Sequence, residues 1–231
     1  MSTGRQGALL KVCGATSAAE VRLLAASGAD YVGLWYGVSG GPADLSLDRL
    51  VELAGVARDA GINPVLVTFL GAVDALHQAL TLSGIRHLQL HAYQTPGAVA
   101  ALRRAHPGLS VLKVLHLRDG QCLEDRFIGA YQRAGTSMFL LDKTTATGRV
   151  GSTGHRLDPA EVRALMPRLD VPFLLAGGVS ADSGGYHDLI GGPSLHGVDV
   201  DTGARDTLGG FDPGLIGAIA RAWQTVPEPL R

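Results

Sequence analysis

Eight short apolar runs recur along the chain, at Leu9–Cys13, Tyr31–Tyr36, Pro64–Phe69, His87–His91, Val111–His116, Met138–Asp142, Pro172–Ala176 and Gly197–Val200. Between them lie stretches with apolar spacing near 3.6, such as Ala18–Ser27, Leu47–Ala60 and Pro159–Met166. Strand-like runs alternating with helical patterns predict parallel β-α units. The runs are apolar almost throughout rather than alternating, which suits strands covered on both faces. Eight such units close into a single (β/α)8 barrel, the TIM-barrel architecture. Its usual length of about 250 residues is close to the 231 here.

Punctuation supports the helices. Gly28 and Gly61 stand where C-terminal glycines are expected. Asp158 before Pro159, with Glu161 three residues on, reads as an N-cap with a partial capping box. An open doubly wound sheet is the competing fold, but it usually starts with a glycine-rich turn, and Cys13-Gly14-Ala15-Thr16 offers one glycine. The expected organisation is one barrel domain over 1–231, with loose ends at about 1–7 and 225–231.

Composition removes several function classes. Net charge is −1, which disfavours nucleic-acid binding through a basic surface. No run of about 18 apolar residues occurs, so no membrane helix is expected, and the polar first residues lack a secretory core. Cys13 and Cys122 are the two cysteines, and a reduced, cytoplasmic protein is the simpler reading.

Parallel barrels deliver the last residue of every strand to one rim, where active sites form. Cys13 and Asp142 each end an apolar run just before a polar loop. Such a thiol and carboxyl could be the base and acid of one site. Taken alone, each has a plainer reading: a small buried hydrophobe for Cys13, a helix N-cap for Asp142. Gly177-Gly178 and Thr202-Gly203 follow the last two runs, where barrels of this kind often hold a phosphate on backbone N–H groups. Tight turns would need the same glycines. His91, His116 and His155 could share the rim, but their separation carries no metal-ligand spacing, and no metal site is expected.

Lys11-Val12-Cys13-Gly14, Gln89-Leu90-His91, Leu141-Asp142, Gly151-Ser152-Thr153-Gly154, Leu175-Ala176-Gly177-Gly178 and Gly197-Val198-Asp199-Val200 stand in an order and spacing that resembles the phosphoribosylanthranilate isomerase family, from about residue 9 to residue 222. The resemblance implies an Amadori rearrangement without metal or organic cofactor, in tryptophan biosynthesis. An N-glycoside of an aromatic amine, an aldose, becomes an aminoketose. It implies Cys13 as general base and Asp142 as general acid. It places Asp199, Gln89, His91, Arg149 and Thr153 against the substrate, and Gly177, Gly178, Thr202 and Gly203 against its phosphate. A monomer or homodimer acting on a small molecule follows. For such chemistry a thiol near 8.5 need fall only modestly, while the acid must stay protonated.

Two anchors depart from the family. Its Ser-Pro-Arg run after the second strand corresponds to Gly41-Pro42-Ala43-Asp44 here, so the cation is gone. Its Ser-Ser-Gly after the last strand reads Asp201-Thr202-Gly203. A carboxylate about 4 Å from a phosphate would cost on the order of 4 kcal/mol at an effective dielectric near 20, unless Arg205 offsets it. Arg149 is the nearest substitute, by sequence, for the missing arginine. Three alternatives therefore stay open: a paralogue acting on another arylamine glycoside in secondary metabolism, a small-molecule-binding barrel without catalysis, and a metal-dependent lyase.

Overall fold

The computed structural model describes residues 8–144 and 156–224. The expected loose ends, the glycine-rich stretch from Gly148 to Gly154 with Arg149 and Thr153, and His155 lie outside the described residues.

Eight parallel strands close into one barrel: β1 (Leu9–Cys13), β2 (Tyr31–Trp35), β3 (Asn63–Thr68), β4 (His87–Leu90), β5 (Ser110–Arg118), β7 (Met138–Lys143), β8 (Phe173–Leu175) and β9 (Leu195–Val200). A ninth, β6 (Gln121–Cys122), is a short antiparallel return on the end of β5 that the sequence pattern does not announce. The order round the barrel is β4-β3-β2-β1-β9-β8-β7-β5, and β4 pairs with β5 to close it.

Strand alternation sorts the side chains. On β1, Leu10 and Val12 are fully buried in the apolar layer shared with Val21 and Leu24, while Lys11 and Cys13 point into the lumen. The two lumen-facing residues therefore sit one above the other, and only Cys13 reaches the rim.

Around the barrel run α1 (Ala18–Ala26), α2 (Leu47–Asp59), α3 (Val73–Ser83), α4 (Pro96–Ala105), α5 (Ile128–Arg133), α6 (Pro159–Leu165) and α7 (Pro213–Gln224). Gly28 and Gly61 follow α1 and α2 with φ of 93° and 75°, as C-terminal glycines do. Ser17 and Glu20 make a full capping box on α1. At α6 the expected box is only half made. The Asp158 side chain accepts from the Ala160 N–H, but Glu161 turns instead to the Lys143 ammonium at 3.0 Å, because a charged partner outcompetes the cap.

The alternation of eight strands with eight helices fails at one place. Between β8 and β9 the chain forms no α-helix, only a 3-10 turn at His187–Leu189. Three glycine pairs, Gly177-Gly178, Gly184-Gly185 and Gly191-Gly192, interrupt this connection. Each glycine costs a helix roughly 1 kcal/mol against alanine. Aromatic side chains cover the barrel there: the Tyr186 hydroxyl donates to Leu157 O at 2.8 Å, and the Trp223 indole N–H donates to Ser180 O at 3.0 Å.

Two glycines should respond oppositely to alanine. A Cβ on Gly197 would lie 2.3 Å from the Leu9 carbonyl oxygen across the β1–β9 seam, whereas one on Gly55, inside α2, meets nothing within 4 Å. Gly197→Ala should lower the unfolding free energy by about 1–3 kcal/mol, and Gly55→Ala should raise it by about 0.5–1 kcal/mol. Urea denaturation followed by circular dichroism measures both. A loss in both variants would contradict the reading of Gly55.

Candidate active site

At the C-terminal rim a cavity of about 540 Å³ is lined by Cys13, Asp142, Asp199, the glycine loops after β8 and β9, and the aromatic rings of Trp35 and Phe69. Cys13 arrives from β1 and Asp142 from β7, three strands apart round the barrel. Both are nearly buried, at 6% and 4% exposure, and both open onto this one space.

Beneath the cavity lies a buried polar triad. Lys11 Nζ donates to Asp199 Oδ1 at 2.8 Å and contacts Cys13 Sγ at 2.7 Å. The Cys13 thiol faces Asp199 Oδ2 at 3.9 Å. Lys11 and Asp199 are cross-strand partners in the β1–β9 register, so the ion pair is set by the sheet itself. Lys11 therefore both supports the site and occupies the lumen. Burial pulls its ammonium downward, but the Asp199 carboxylate and the neighbouring thiol outweigh it, and the net shift is upward.

The thiol behaves contrary to the expectation of a modest fall. Burial pushes Cys13 up to about 12, the Asp199 carboxylate adds to the rise, and the Lys11 ammonium opposes it without prevailing. Desolvation disfavours the charged form of any group, and a nearly buried thiol beside a carboxylate has two reasons to keep its proton.

Room for that thiol comes from Gly33, which the sequence reading did not single out. Gly33 is the cross-strand partner of Cys13, and a Cβ there would lie 2.4 Å from Cys13 Sγ. A glycine opposite a reactive strand-end residue is the signal that could have found it.

On the opposite wall, Asp142 Oδ1 accepts the Lys143 backbone N–H at 2.9 Å, while Oδ2 stands 3.5 Å from His91 Nε2. Gln89 Nε2 lies 3.0 Å from His91 Nδ1. His116 comes within 5.9 Å of His91, ring centre to ring centre, but its Nδ1 is taken by Glu124 at 2.6 Å. Among the described residues no group of three metal-ligating side chains forms.

Gly177, Gly178, Thr202 and Gly203 all reach the cavity, on the side of β8 and β9. Gly177 and Gly178 have φ of 75° and 61°, which a side chain would resist. A Cβ on Gly203 would lie 2.3 Å from Val179 O, so glycine lets the two loops meet. The carboxylate expected to repel a phosphate is neutralised: Arg205 Nε donates to Asp201 Oδ1 at 2.8 Å.

In the loop after β2, the positions corresponding to the family's Ser-Pro-Arg run do not all reach the cavity. Ala43 is buried and stays out of the cavity lining, which takes Ser39 to Pro42 instead. The exposed Asp44 carboxylate accepts the Val38 N–H at 3.0 Å and lies outside the cavity lining. Cys122 lies on β6, half-buried and away from this site.

A model of the N-(5'phosphoribosyl)anthranilate (PRA) isomerase family matches residues 10–221. The N-(5'-phosphoribosyl)anthranilate isomerase of Rhodopseudomonas palustris strain BisA53 is 31% identical over 219 residues, covering 92% of this chain and 94% of its own. Among solved structures, the Pyrococcus furiosus N-(5'-phosphoribosyl)anthranilate isomerase superposes with a TM-score of 0.71 at 21% identity, over 93% of this chain and 98% of its own. A phosphoribosyl anthranilate isomerase in complex with reduced 1-(o-carboxyphenylamino)-1-deoxyribulose 5-phosphate superposes at 0.66 and 18% identity, over 93% and 98%. Match to the family model across nearly the whole barrel, joined to the sequence identity, places the chain in the N-(5'-phosphoribosyl)anthranilate isomerase family.

Proposed function

We propose that this chain is a cofactor-free Amadori-type isomerase that converts N-(5'-phosphoribosyl)anthranilate to its aminoketose in tryptophan biosynthesis, an intramolecular oxidoreductase with Cys13 as base and Asp142 as acid. The observation that carries this reading is the convergence of those two side chains, from β1 and β7, on one cavity walled on one side by glycine loops. On this reading the chain is one cytoplasmic barrel domain, monomeric or homodimeric. Among the described residues no helix is long and apolar enough to cross a membrane.

The substrate spans the rim. Its phosphate meets the backbone of Gly177, Gly178, Thr202 and Gly203, where positive-φ glycines let N–H groups approach an anion. With the Asp201 charge paired to Arg205, this end carries no uncompensated repulsion. The sugar lies between Cys13 and Asp142, with Asp199 below it. The arylamine extends towards Trp35 and Phe69, whose rings offer stacking surface.

Asp142 protonates the furanose ring oxygen, the C1–O bond breaks, and a cationic iminium forms. A thiolate at Cys13 then removes the C2 proton, giving the enolamine, which tautomerises to the ketone. One proton enters from Asp142 and one leaves to Cys13, so no oxidant is required. The raised thiol makes timing part of the chemistry. A resting thiol near 12 is a poor base, but a cation arriving beside it favours the thiolate. Lys11 Nζ at 2.7 Å is placed to hold that anion, and Asp199 Oδ2 at 3.9 Å is an acceptor for the thiol proton.

Cys13→Ala and Asp142→Asn should each lower kcat roughly 10²–10⁴-fold, the usual contribution of a positioned acid or base, with binding of the reduced ketose analogue retained. A fluorescence assay on phosphoribosylanthranilate measures the first, calorimetry the second. Full activity in either variant would remove that residue from the mechanism.

The thiol can be tested without substrate. In the free protein, iodoacetamide should alkylate Cys13 slowly at neutral pH, and the rate should climb about tenfold per pH unit through pH 10, since only the thiolate reacts. Asp199→Asn removes a charge that raises the thiol and should speed alkylation at pH 8 by about tenfold or more. Lys11→Met removes the opposing charge and should slow it. Peptide mass spectrometry separates Cys13 from Cys122. A rate that levels off below pH 8 would contradict the raised thiol.

A further inference from the structure

We propose that His91 is a positioning residue for the Asp142 carboxyl, with Gln89 setting its tautomer, rather than a substrate contact. This rests on the acid role given to Asp142 above.

His91 is held on every side but one. Phe69 stacks on its ring, with centroids 5.1 Å apart and planes at 26°. His116 packs edge-on, at 5.9 Å and 63°, and is itself anchored by Glu124, which takes both its ring Nδ1–H at 2.6 Å and its backbone N–H at 2.8 Å. Gln89 Nε2 meets His91 Nδ1 at 3.0 Å. With the amide in this orientation its N–H donates to Nδ1, which assigns the proton of a neutral His91 to Nε2. That Nε2 is buried, has no hydrogen-bond partner, and stands 3.5 Å from Asp142 Oδ2.

The geometry explains why both residues are needed. Gln89 and His91 both border the cavity, but Gln89 is fully buried, with its amide nitrogen turned to His91 Nδ1. On this proposal its effect passes through His91. Asp142 Oδ1 is already engaged by the Lys143 N–H, which leaves Oδ2 as the oxygen that gives up the proton. At rest Oδ2 lies beyond hydrogen-bond reach of Nε2. Once the proton has moved to the ring oxygen, Oδ2 carries charge, and a charge-assisted bond of about 2.7–2.9 Å becomes favourable. His91 thus offers a preoriented donor to charge that develops only as the ring opens, which favours the transition state over the bound substrate.

The test compares three variants of the full chain. His91→Phe keeps the ring between Phe69 and His116 but removes both nitrogens. It should lower kcat about 10–100-fold, the worth of one hydrogen bond to a charged group, while affinity for the reduced ketose analogue stays within about twofold. His91→Gln, which can return an N–H near the Nε2 position, should recover part of that loss. Gln89→Leu should lower kcat several-fold alone and add nothing in the His91→Phe background, the non-additivity of residues acting as one chain. Independently of activity, ¹⁵N NMR of the ring nitrogens should show His91 protonated on Nε2 in the wild type, and a tautomer mixture in Gln89→Leu. A His91→Phe enzyme with unchanged kcat, or with analogue affinity weakened tenfold, would overturn the proposal in favour of no role or a substrate contact. So would a wild-type ring protonated on Nδ1. If the wild type turns over no phosphoribosylanthranilate, the proposed function fails instead, and the NMR result alone decides this one.

Discussion

The ion pair between Lys11 and Asp199 does two things at once. It bridges β1 and β9, the seam where first and last strands meet, and it forms the floor beneath Cys13. At 1% and 8% exposure, both groups have lost most of their water. Taking two charges out of solvent costs several kcal/mol each, which mutual attraction roughly offsets, whereas losing one partner leaves a buried charge and costs about 3–5 kcal/mol. Barrel closure and the chemistry of the thiol are therefore tied to the same two side chains. Burial raises the Cys13 thiol, the carboxylate on that floor adds to the rise, and the ammonium there opposes it.

Charge is compensated locally round the cavity. Lys11 answers Asp199, and Arg205 answers Asp201. Asp142 faces His91, whose other ring nitrogen meets Gln89. Asp142 is thus the one carboxyl of the three that does not sit against a lysine or arginine side chain in these pairings. Glycines make the arrangement possible at close quarters. Gly33 leaves space for the thiol, and Gly203 lets the last two loops touch.

The barrel was legible because its signal is repeated. Eight apolar runs with intervening 3.6-residue patterns leave few alternative topologies, and the β1 range was read to the residue. The missing helix between β8 and β9 had its own local sign in three glycine pairs, outweighed by the regularity of the rest. Cys13, Asp142 and the glycine loops could be assigned to one rim because parallel strands share a direction. Gly33 needed the strand register, which sets it opposite Cys13. The fate of Asp201 and Asp44 could not be assigned, since each depends on a partner whose distance no spacing rule predicts.

By itself the sequence determined the fold class, the family and which side chains stand near the strand ends, because periodicity, turn residues and motif order are properties of the chain read in one dimension. Only the tertiary structure decided how those side chains ionise and which of them answer one another. Burial turned the expected modest fall of the Cys13 thiol into a rise, and closure of β1 on β9 brought Lys11 to Asp199 across 188 positions. Desolvation and Coulomb interaction depend on distance and on excluded water. Both exist only once the barrel has closed.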